Sequence, residues 1–181
     1  MSKKIRWIAE TAVLLAMLIA LQTLTKPWGQ LVTGSYVNGM LAVAVLFAGL
    51  GSGLTIAVVS PVLAFLLNIA PNILTVPAIM VGNMVYVLLL GFLADPQGKK
   101  ILKNILAWIV SAALKFGVLY FIVVQVICGF LSETLMESGA LKAPMLKALP
   151  VTFSWPQLFT ALIGGAVALP MAPVLRKALK K

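Results

Sequence analysis

Lys115 is the residue in this sequence that is best placed to bind a ligand, because it is a charged group inside a long apolar segment at about residues 101–131. If that segment is helical, a rise of about 1.5 Å per residue places Lys115 roughly 18 Å from the segment's start, near the midplane of a bilayer. A charged lysine at that depth costs at least ~2.5–3.5 kcal/mol. We therefore expect it to face the inside of a helix bundle and a polar partner.

Other polar residues share this helix face. At about 100° per residue, one arc of about 100° contains Trp108, Ser111, Lys115, Ile122 and Gln125. The ammonium group could contact a ligand, pair structurally with backbone carbonyls, or snorkel to the surface, although its depth makes full snorkelling difficult. Glu10 is the only acid near a helix body, so an internal ion-pair partner is scarce. The face is our predicted ligand-binding stripe, and structural pairing stays the main alternative.

Asn83 and Tyr86 lie near mid-depth in another apolar segment, three residues apart and therefore on nearly one face. Asn83 could instead bond a neighbouring helix, and Trp155 could belong to an interfacial aromatic belt. Most other uncharged polar groups occur toward the predicted outer ends of the helices, among them Tyr36, Asn38, Asn68, Asn72, Trp155 and Gln157. This asymmetry favours a site reached from outside.

The residue content excludes several kinds of chemistry. With no histidine, four acids and one cysteine, the chain cannot build a histidine-based triad, a histidine metal site or a structural disulfide. The glycines near Gly49 are not followed by the GK[ST] of a phosphate-binding loop. We therefore expect neither an enzyme nor a bound cofactor or metal, and any driving energy must come from elsewhere.

The composition is that of an integral membrane protein. Of 181 residues, 62% are hydrophobic and 10% are charged, against about 45–50% and about 25% in soluble domains. A crossing needs about 20 apolar residues. We predict an all-α bundle of six transmembrane helices, forming one domain over residues 1–181, at about 7–24, 37–50, from the glycine-rich turn at 49–53 to 70, 74–94, 101–131 and 156–175.

The charge pattern predicts the orientation of the bundle. The formal net charge is +10. Three clusters, ten basic residues in all, would lie inside if both termini are cytoplasmic: Lys3, Lys4 and Arg6; Lys99, Lys100 and Lys103; and Arg176, Lys177, Lys180 and Lys181. Lys26, Lys142 and Lys147 would lie outside, which is a positive-inside bias and not the pattern of a nucleic-acid groove.

The first segment has features of a signal peptide, but we expect a retained helix.

Two longer connections would lie outside, at about 25–36 and 132–155. The second carries Glu133 and Glu137 and an apolar register compatible with a short interfacial helix. Long outer connections over a compact bundle suggest a lid on a site that opens outward.

The first helix carries a strip of small residues within about an 80° arc: Ala9, Ala12, Ala16 and Ala20. In lipid such a strip allows another helix to approach closely. It could pack within the bundle or form the docking face for a partner subunit.

Together these features resemble the substrate-binding S components of energy-coupling factor (ECF) transporters, the vitamin and micronutrient importers of prokaryotes. The matching features are the length, six helices with both ends inside, a long first outer loop before a short second helix, and the AxxxA pattern from Ala12 to Ala16, repeated to Ala20. The resemblance covers the whole chain.

The resemblance implies a subunit that captures a vitamin-like molecule in its outer half. It would pass the molecule inward by toppling beside a transmembrane scaffold subunit, powered by two cytoplasmic ATPases. By analogy Ala12, Ala16 and Ala20 would touch the scaffold. With the other outer-half polar residues, the candidate substrate-binding set is Tyr36, Asn38, Asn72, Asn83, Tyr86, Lys115, Gln125, Trp155 and Gln157.

The substrate stays open at this point. The absence of histidine argues against a metal ion, and Lys115 favours a ligand with a carboxylate or phosphate. Two other functions also stay open: a stand-alone secondary transporter or channel, and a non-transporting membrane scaffold. The sequence offers the former neither paired acids in its helices nor an inverted repeat.

Overall fold

A computed structural model describes residues 2–70, 72–95 and 97–179, and within these ranges it is helical with no strand. The last two lysines of the third basic cluster and the prolines at 71 and 96 lie outside the described residues. The helices are α1 (Lys3–Thr25), α2 (Gln30–Val43), α3 (Leu50–Leu66), α4 (Thr75–Leu93), α5 (Ile101–Leu119), α6 (Ser132–Glu137), α7 (Ala143–Thr152) and α8 (Trp155–Ala178).

Within the described ranges, five helical stretches are long and apolar enough to cross a membrane: Lys3–Trp28, Gln30–Ala48, Thr75–Leu93, Ile101–Phe130 and Trp155–Ala178. α3 is also apolar but shorter, at 17 residues. The prediction of an all-α, multi-pass membrane protein is confirmed.

α3 runs alongside most of α1. Near the start of α3, Ser52 Oγ lies 2.8 Å from Thr11 Oγ1 of α1. Just beyond its end, Lys26 Nζ donates to the carbonyl oxygen of Asn68 at 2.7 Å. The hydrogen bonds that join the two helices at both ends show that α3 covers the same depth as the part of α1 from Thr11 onward.

α2 and α8 approach to backbone contact. A Cβ added at Gly164 would lie 2.5 Å from the backbone nitrogen of Gly39 and 2.5 Å from the carbonyl oxygen of Ser35. At the other end of the pair, Arg176 Nε donates to the carbonyl oxygen of Leu46 at 2.8 Å. Glycine is needed at position 164 because any side chain would separate the two backbones.

The predicted start of the second helix is wrong. α2 begins at Gln30, not near residue 37, and it continues as a π-helix over Ala44–Ala48, so it is not short. Gly29, at φ +87°, and the 3₁₀ turn Lys26–Trp28 make the connection instead. The polar composition of this stretch is typical of a loop, but Thr33 is buried and donates to the carbonyl oxygen of Thr25 at 2.8 Å.

The end of the fifth helix that leads into α6, which we call the outer end after the predicted orientation, changes geometry. α5 continues as a π-helix over Tyr120–Phe130, in which each residue advances through a smaller angle than in an α-helix. The buried residues there recur at intervals of four: Leu119, Val123 and Ile127. The regular 100° spacing used to place Gln125 therefore does not hold beyond Leu119.

The outer connection before α8 is packed and not extended. It forms two short helices, α6 and α7, and buries Leu141, Leu149 and Phe153 against the outer end of the fifth helix. Asn72 fastens it, since its Nδ2 donates to the carbonyl oxygen of Ala140 at 3.3 Å. The connection thus covers the outer end of the bundle.

The loop between α4 and α5 is tied by Asp95 and Asn104. Asn104 Nδ2 donates to the carbonyl oxygen of Asp95 at 3.0 Å. Desolvation would raise the pKa of the Asp95 carboxyl, but hydrogen bonds from the amides of Gln97, Lys100 and Lys99 and the charge of Lys100 outweigh it and hold that pKa below its ordinary value. The loop is compact, so α4 and α5 are antiparallel neighbours.

Candidate functional site

A cavity of about 100 Å³ lies in the bundle beneath the outer connections. Its deepest polar residues are Asn38, Ser60, Asn83 and Lys115, and its polar residues nearer the outer ends of the helices are Gln22, Gln30, Thr33, Thr152 and Gln157. Among the described residues, seven helices (α1 to α5, α7 and α8) and two connections contribute to the wall. The site is therefore a product of the whole bundle.

Lys115 is at the centre of the deep end. It is 2% exposed, and its Nζ donates to Asn38 Oδ1 at 2.5 Å and to Asn83 Oδ1 at 2.7 Å. The ring of Tyr86 lies 5.5 Å from the same nitrogen, within range of a cation–π interaction. Lys115 thereby joins α5 to α2 and α4, and it does not snorkel to the surface.

The amide of Asn38 is held in place by its own contacts. Asn38 Nδ2 donates to the carbonyl oxygen of Gly34 at 2.9 Å and to Thr160 Oγ1 at 3.1 Å, which turns its Oδ1 toward Lys115. Below, the hydroxyl of Tyr86 and Nε1 of Trp108 both donate to the carbonyl oxygen of Ala161, at 3.4 and 3.3 Å. The position of the ammonium is fixed by four helices.

Two polar atoms on this cavity wall have no partner among the described residues, Ser60 Oγ and Asn83 Nδ2. Ser60 is 2% exposed and Asn83 is 1% exposed. A buried polar group left without a hydrogen bond costs about 1–3 kcal/mol, so such groups are rare and call for a partner. Both atoms belong to residues that line the cavity.

The cavity has a positive electrostatic character. Of the described residues that line it, Lys115 is the single charged one. Arg6 and Glu10 form an ion pair at 2.9 Å, but they lie at the far end of α1. Lys115 thus has neutral partners only, and an anionic group would complete its environment.

The cavity is smaller than the roughly 300–1,000 Å³ typical of small-molecule sites. Its outer wall includes Ile69, Ala70, Thr152 and Phe153, which belong to the connections between helices. The wall on this side is thus made by connections and not by the helix pair that touches at Gly39 and Gly164.

The structure brings four of the nine predicted site residues to the cavity wall: Asn38, Asn83, Lys115 and Gln157. Tyr86 lies behind the wall, against Lys115.

The other four are not on the cavity wall, each for a visible reason. Tyr36 is exposed on an apolar groove between α1, α2 and α8, and Asn72 fastens the outer connection. Gln125 is exposed and donates to the hydroxyl of Tyr120 at 3.3 Å, because the π-helix turns it away. Trp155 is 62% exposed and stacks on Phe116.

Five polar wall residues lie outside the predicted set: Gln22, Gln30, Thr33, Ser60 and Thr152. Gln22 and Ser60 carried a signal, since each is a polar residue inside an apolar segment. Gln30 and Thr33 were hidden by their assignment to a loop.

The alanine strip lies on the outside of the bundle. Ala9, Ala12, Ala16 and Ala20 are all exposed, while the opposite face of α1 buries Leu14 and Leu18. The alternative in which the strip packs within the bundle is therefore wrong. Among the described residues there is no group of three or more His, Cys, Asp or Glu side chains that could hold a metal ion.

Comparison with protein families gives one match, to the family described as ECF transporter, substrate-specific component, over residues 8–176. The matched range contains the whole cavity and Ala9 to Ala20. No curated protein and no solved structure matches the chain.

Proposed function

The chain belongs to the family of ECF transporter substrate-specific components, and we propose that its cavity around Lys115 captures a vitamin-like small molecule from outside the cell. The family makes the chain a membrane-embedded substrate-binding subunit of a transporter, which is not an enzyme. The location of the site, its ligand and the way the ligand is passed inward belong to the proposal.

One observation carries the proposed location. A buried ammonium group with only neutral partners shares a cavity wall with two unpartnered buried polar groups, Ser60 Oγ and Asn83 Nδ2. If the deep end served only to join helices, these groups would be expected to pair with protein atoms. A bound molecule would satisfy all three.

We infer six crossings with both termini cytoplasmic. α3 has 17 residues, the lower limit for a span, and its two ends are bonded to α1 near Thr11 and at Lys26. If α1 crosses the bilayer, α3 at the same depth crosses as well. An even number of crossings also leaves the ten clustered basic residues on one side, in accord with the positive-inside rule.

The proposed partner is a transmembrane scaffold subunit seated on Ala12, Ala16 and Ala20, with two cytoplasmic ATPases supplying the energy. Family membership implies association with such a module. The exposed strip supports the contact, because small side chains on a lipid-facing helix permit a second helix to come close. The loaded subunit would then topple beside the scaffold and open inward.

The test of the proposed function is the mass spectrum of the small molecules released from purified protein. A molecule retained in roughly equal amount to the protein supports capture, and uptake in liposomes only when the scaffold and ATPases are present supports transport by the complex. Uptake by the chain alone, driven by an ion gradient, would indicate a stand-alone transporter. A protein that retains nothing would fit a non-transporting scaffold instead.

Lys115→Met tests the site. Methionine keeps a similar stem and removes the charge and the donors, so an anionic ligand should bind more weakly by at least ~1–2 kcal/mol while the bundle still folds. Lys103→Met, on the exposed inner part of the same helix, is the matched control and should bind normally. Equal affinity in both variants would return Lys115 to a purely structural role.

A further inference from the structure

We propose that the deep end of the cavity is a carboxylate subsite, so that the substrate is a small acid bearing one carboxylate, which it places against Lys115 near the middle of the bilayer. This inference rests on the proposed function, because it assumes that the cavity is where the substrate binds. It adds the charge, the size and the orientation of that substrate.

The free hydrogen-bonding groups at the deep end are chiefly donors. An ammonium group has three N–H bonds, and Lys115 uses two of them on the oxygens of Asn38 and Asn83. Those bonds also occupy the two amide oxygens. By this count one N–H of Lys115 has no oxygen partner. The Nδ2 of Asn83 and the hydroxyl of Ser60 have no partner among the described residues. Three donors around one small space fit the two oxygens of a carboxylate.

The charge of the site selects a monoanion. Lys115 is the single charged residue among the described residues on the wall, so one negative charge brings the buried site to neutrality. A phosphate monoester carries about −1.5 to −2 at neutral pH and would leave an uncompensated buried charge. A cationic ligand would add to the charge of Lys115. A single carboxylate is therefore favoured over both.

The other side chains of the cavity wall indicate what the rest of the ligand is like. Beside the donors lie aliphatic side chains, among them Val37, Ile79 and Leu119, and toward the outside lie the amides of Gln22 and Gln157. Phe153 is the single aromatic residue among the described wall residues, so the site offers little for stacking. The wall fits a short aliphatic body with uncharged hydrogen-bonding groups at its outer end, and not a fused aromatic ring system.

The orientation follows from the packing. At the deep end α2 and α8 touch through Gly39 and Gly164, whereas the outer wall consists of connections. We therefore expect the cavity to open on the side of these connections. A molecule entering there would bring its carboxylate in first, and its polar outer end would stay beneath Phe153 and Thr152.

Chemical analysis of the released molecule tests the inference. We would divide the extract from the purified protein, treat one portion with a carboxyl-methylating reagent and another with alkaline phosphatase, and compare masses with the untreated portion. The expected species gains one methyl group and is unchanged by phosphatase. A retained phosphate ester, polyacid, cation, neutral molecule or fused aromatic compound overturns the carboxylate subsite but leaves the proposed function standing. If nothing is retained, both fail.

Two variants test the donors with the recovered acid as the probe. Asn83→Asp has nearly the same shape but places a carboxylate against Lys115, so affinity should fall by at least ~100-fold as two carboxylates compete for one ammonium. Thermal unfolding in detergent should be unchanged or higher, because the new carboxylate pairs with Lys115. Full affinity in Asn83→Asp, with intact folding, would overturn the subsite.

Ser60→Ala removes one unpartnered hydroxyl, and we expect ~5–10-fold weaker binding from the loss of one hydrogen bond. Ser52→Ala is the matched control, since Ser52 is equally buried but its hydroxyl bonds Thr11 Oγ1 outside the cavity. Weakening in Ser60→Ala alone supports the subsite even if Asn83→Asp fails to fold. Equal binding by both serine variants contradicts it.

Discussion

Two surfaces of this protein are made of small residues, and one is buried between two helices whereas the other is exposed. On the α2–α8 interface, Gly39 and Gly164 bring two backbones into contact inside the chain. On α1, Ala12, Ala16 and Ala20 form a similar strip that is exposed. Both patterns permit close approach of a helix, but only one finds its partner within the molecule. A small-residue pattern therefore indicates that another helix can come close, but it does not show whether that helix belongs to the same chain or to a partner.

The difference between the two surfaces lies in what replacing a small residue would disturb. At Gly164 an added atom meets the backbone of α2, which cannot move without separating the two helices. At the alanine strip the side chains are exposed, so a larger side chain can extend away from the described bundle. Substitution should thus reduce folding in the first case and association in the second.

Gly164→Leu should have the largest effect. Because even a Cβ would lie 2.5 Å from backbone atoms of Gly39 and Ser35, we expect a loss of at least about 3 kcal/mol of stability, beyond the usual range for overpacking. The measurement is thermal unfolding in detergent with the yield of monodisperse protein. Gly117→Leu is the control, since nothing lies within 4 Å of its Cβ position. Equal yields would show that the interface can expand.

Ala16→Trp should have the next largest effect, on assembly only. The large ring should weaken the complex with the scaffold and ATPases by at least ~10-fold, while unfolding shifts by less than about 0.5 kcal/mol because the site faces lipid. Copurification with the scaffold measures the first and thermal unfolding the second. Ala166→Trp, also exposed but on α8, should leave the complex intact. A complex indifferent to Ala16→Trp would remove the docking proposal.

Thr11→Val should have the smallest effect and sharpens the contrast within α1. Thr11 lies on the buried face and bonds Ser52 at 2.8 Å. Hydrogen bonds between membrane helices average about 0.6 kcal/mol, so we expect a loss of that size in unfolding and no change in complex formation. Thr23→Val, which loses only a bond to its own helix, is the control. A loss of the complex in Thr11→Val would mean that both faces of α1 serve assembly.

Much of the fold was predictable because each part of it follows from local composition. Apolar length identified the helices, and their boundaries agree closely for α4 and for the fifth helix with its π-helical end. The start of α2 was missed because its polar residues face a cavity within the bundle, which in sequence looks the same as a loop facing water. Polarity alone does not separate the two.

The site was predictable at its centre and less so at its edges. Lys115 and Asn83 stand out because charged and amide groups are costly in lipid and must find partners. Gln125 was placed by regular helical spacing, which fails where the helix widens after Leu119. Trp155 and Asn72 have plausible types and depths, but their side chains are taken up by Phe116 and by the outer connection.

The sequence by itself determined that this protein lies in a membrane and that one lysine must be enclosed. Each residue contributes its own free energy of transfer from water to lipid, and these contributions add up along the segment that contains it. Only the tertiary structure decided which amides enclose that lysine, which small-residue strip is covered and which is left open. Those outcomes depend on the relative rotation of packed helices, and a few degrees at Gly164 or along the π-helix change which side chains meet.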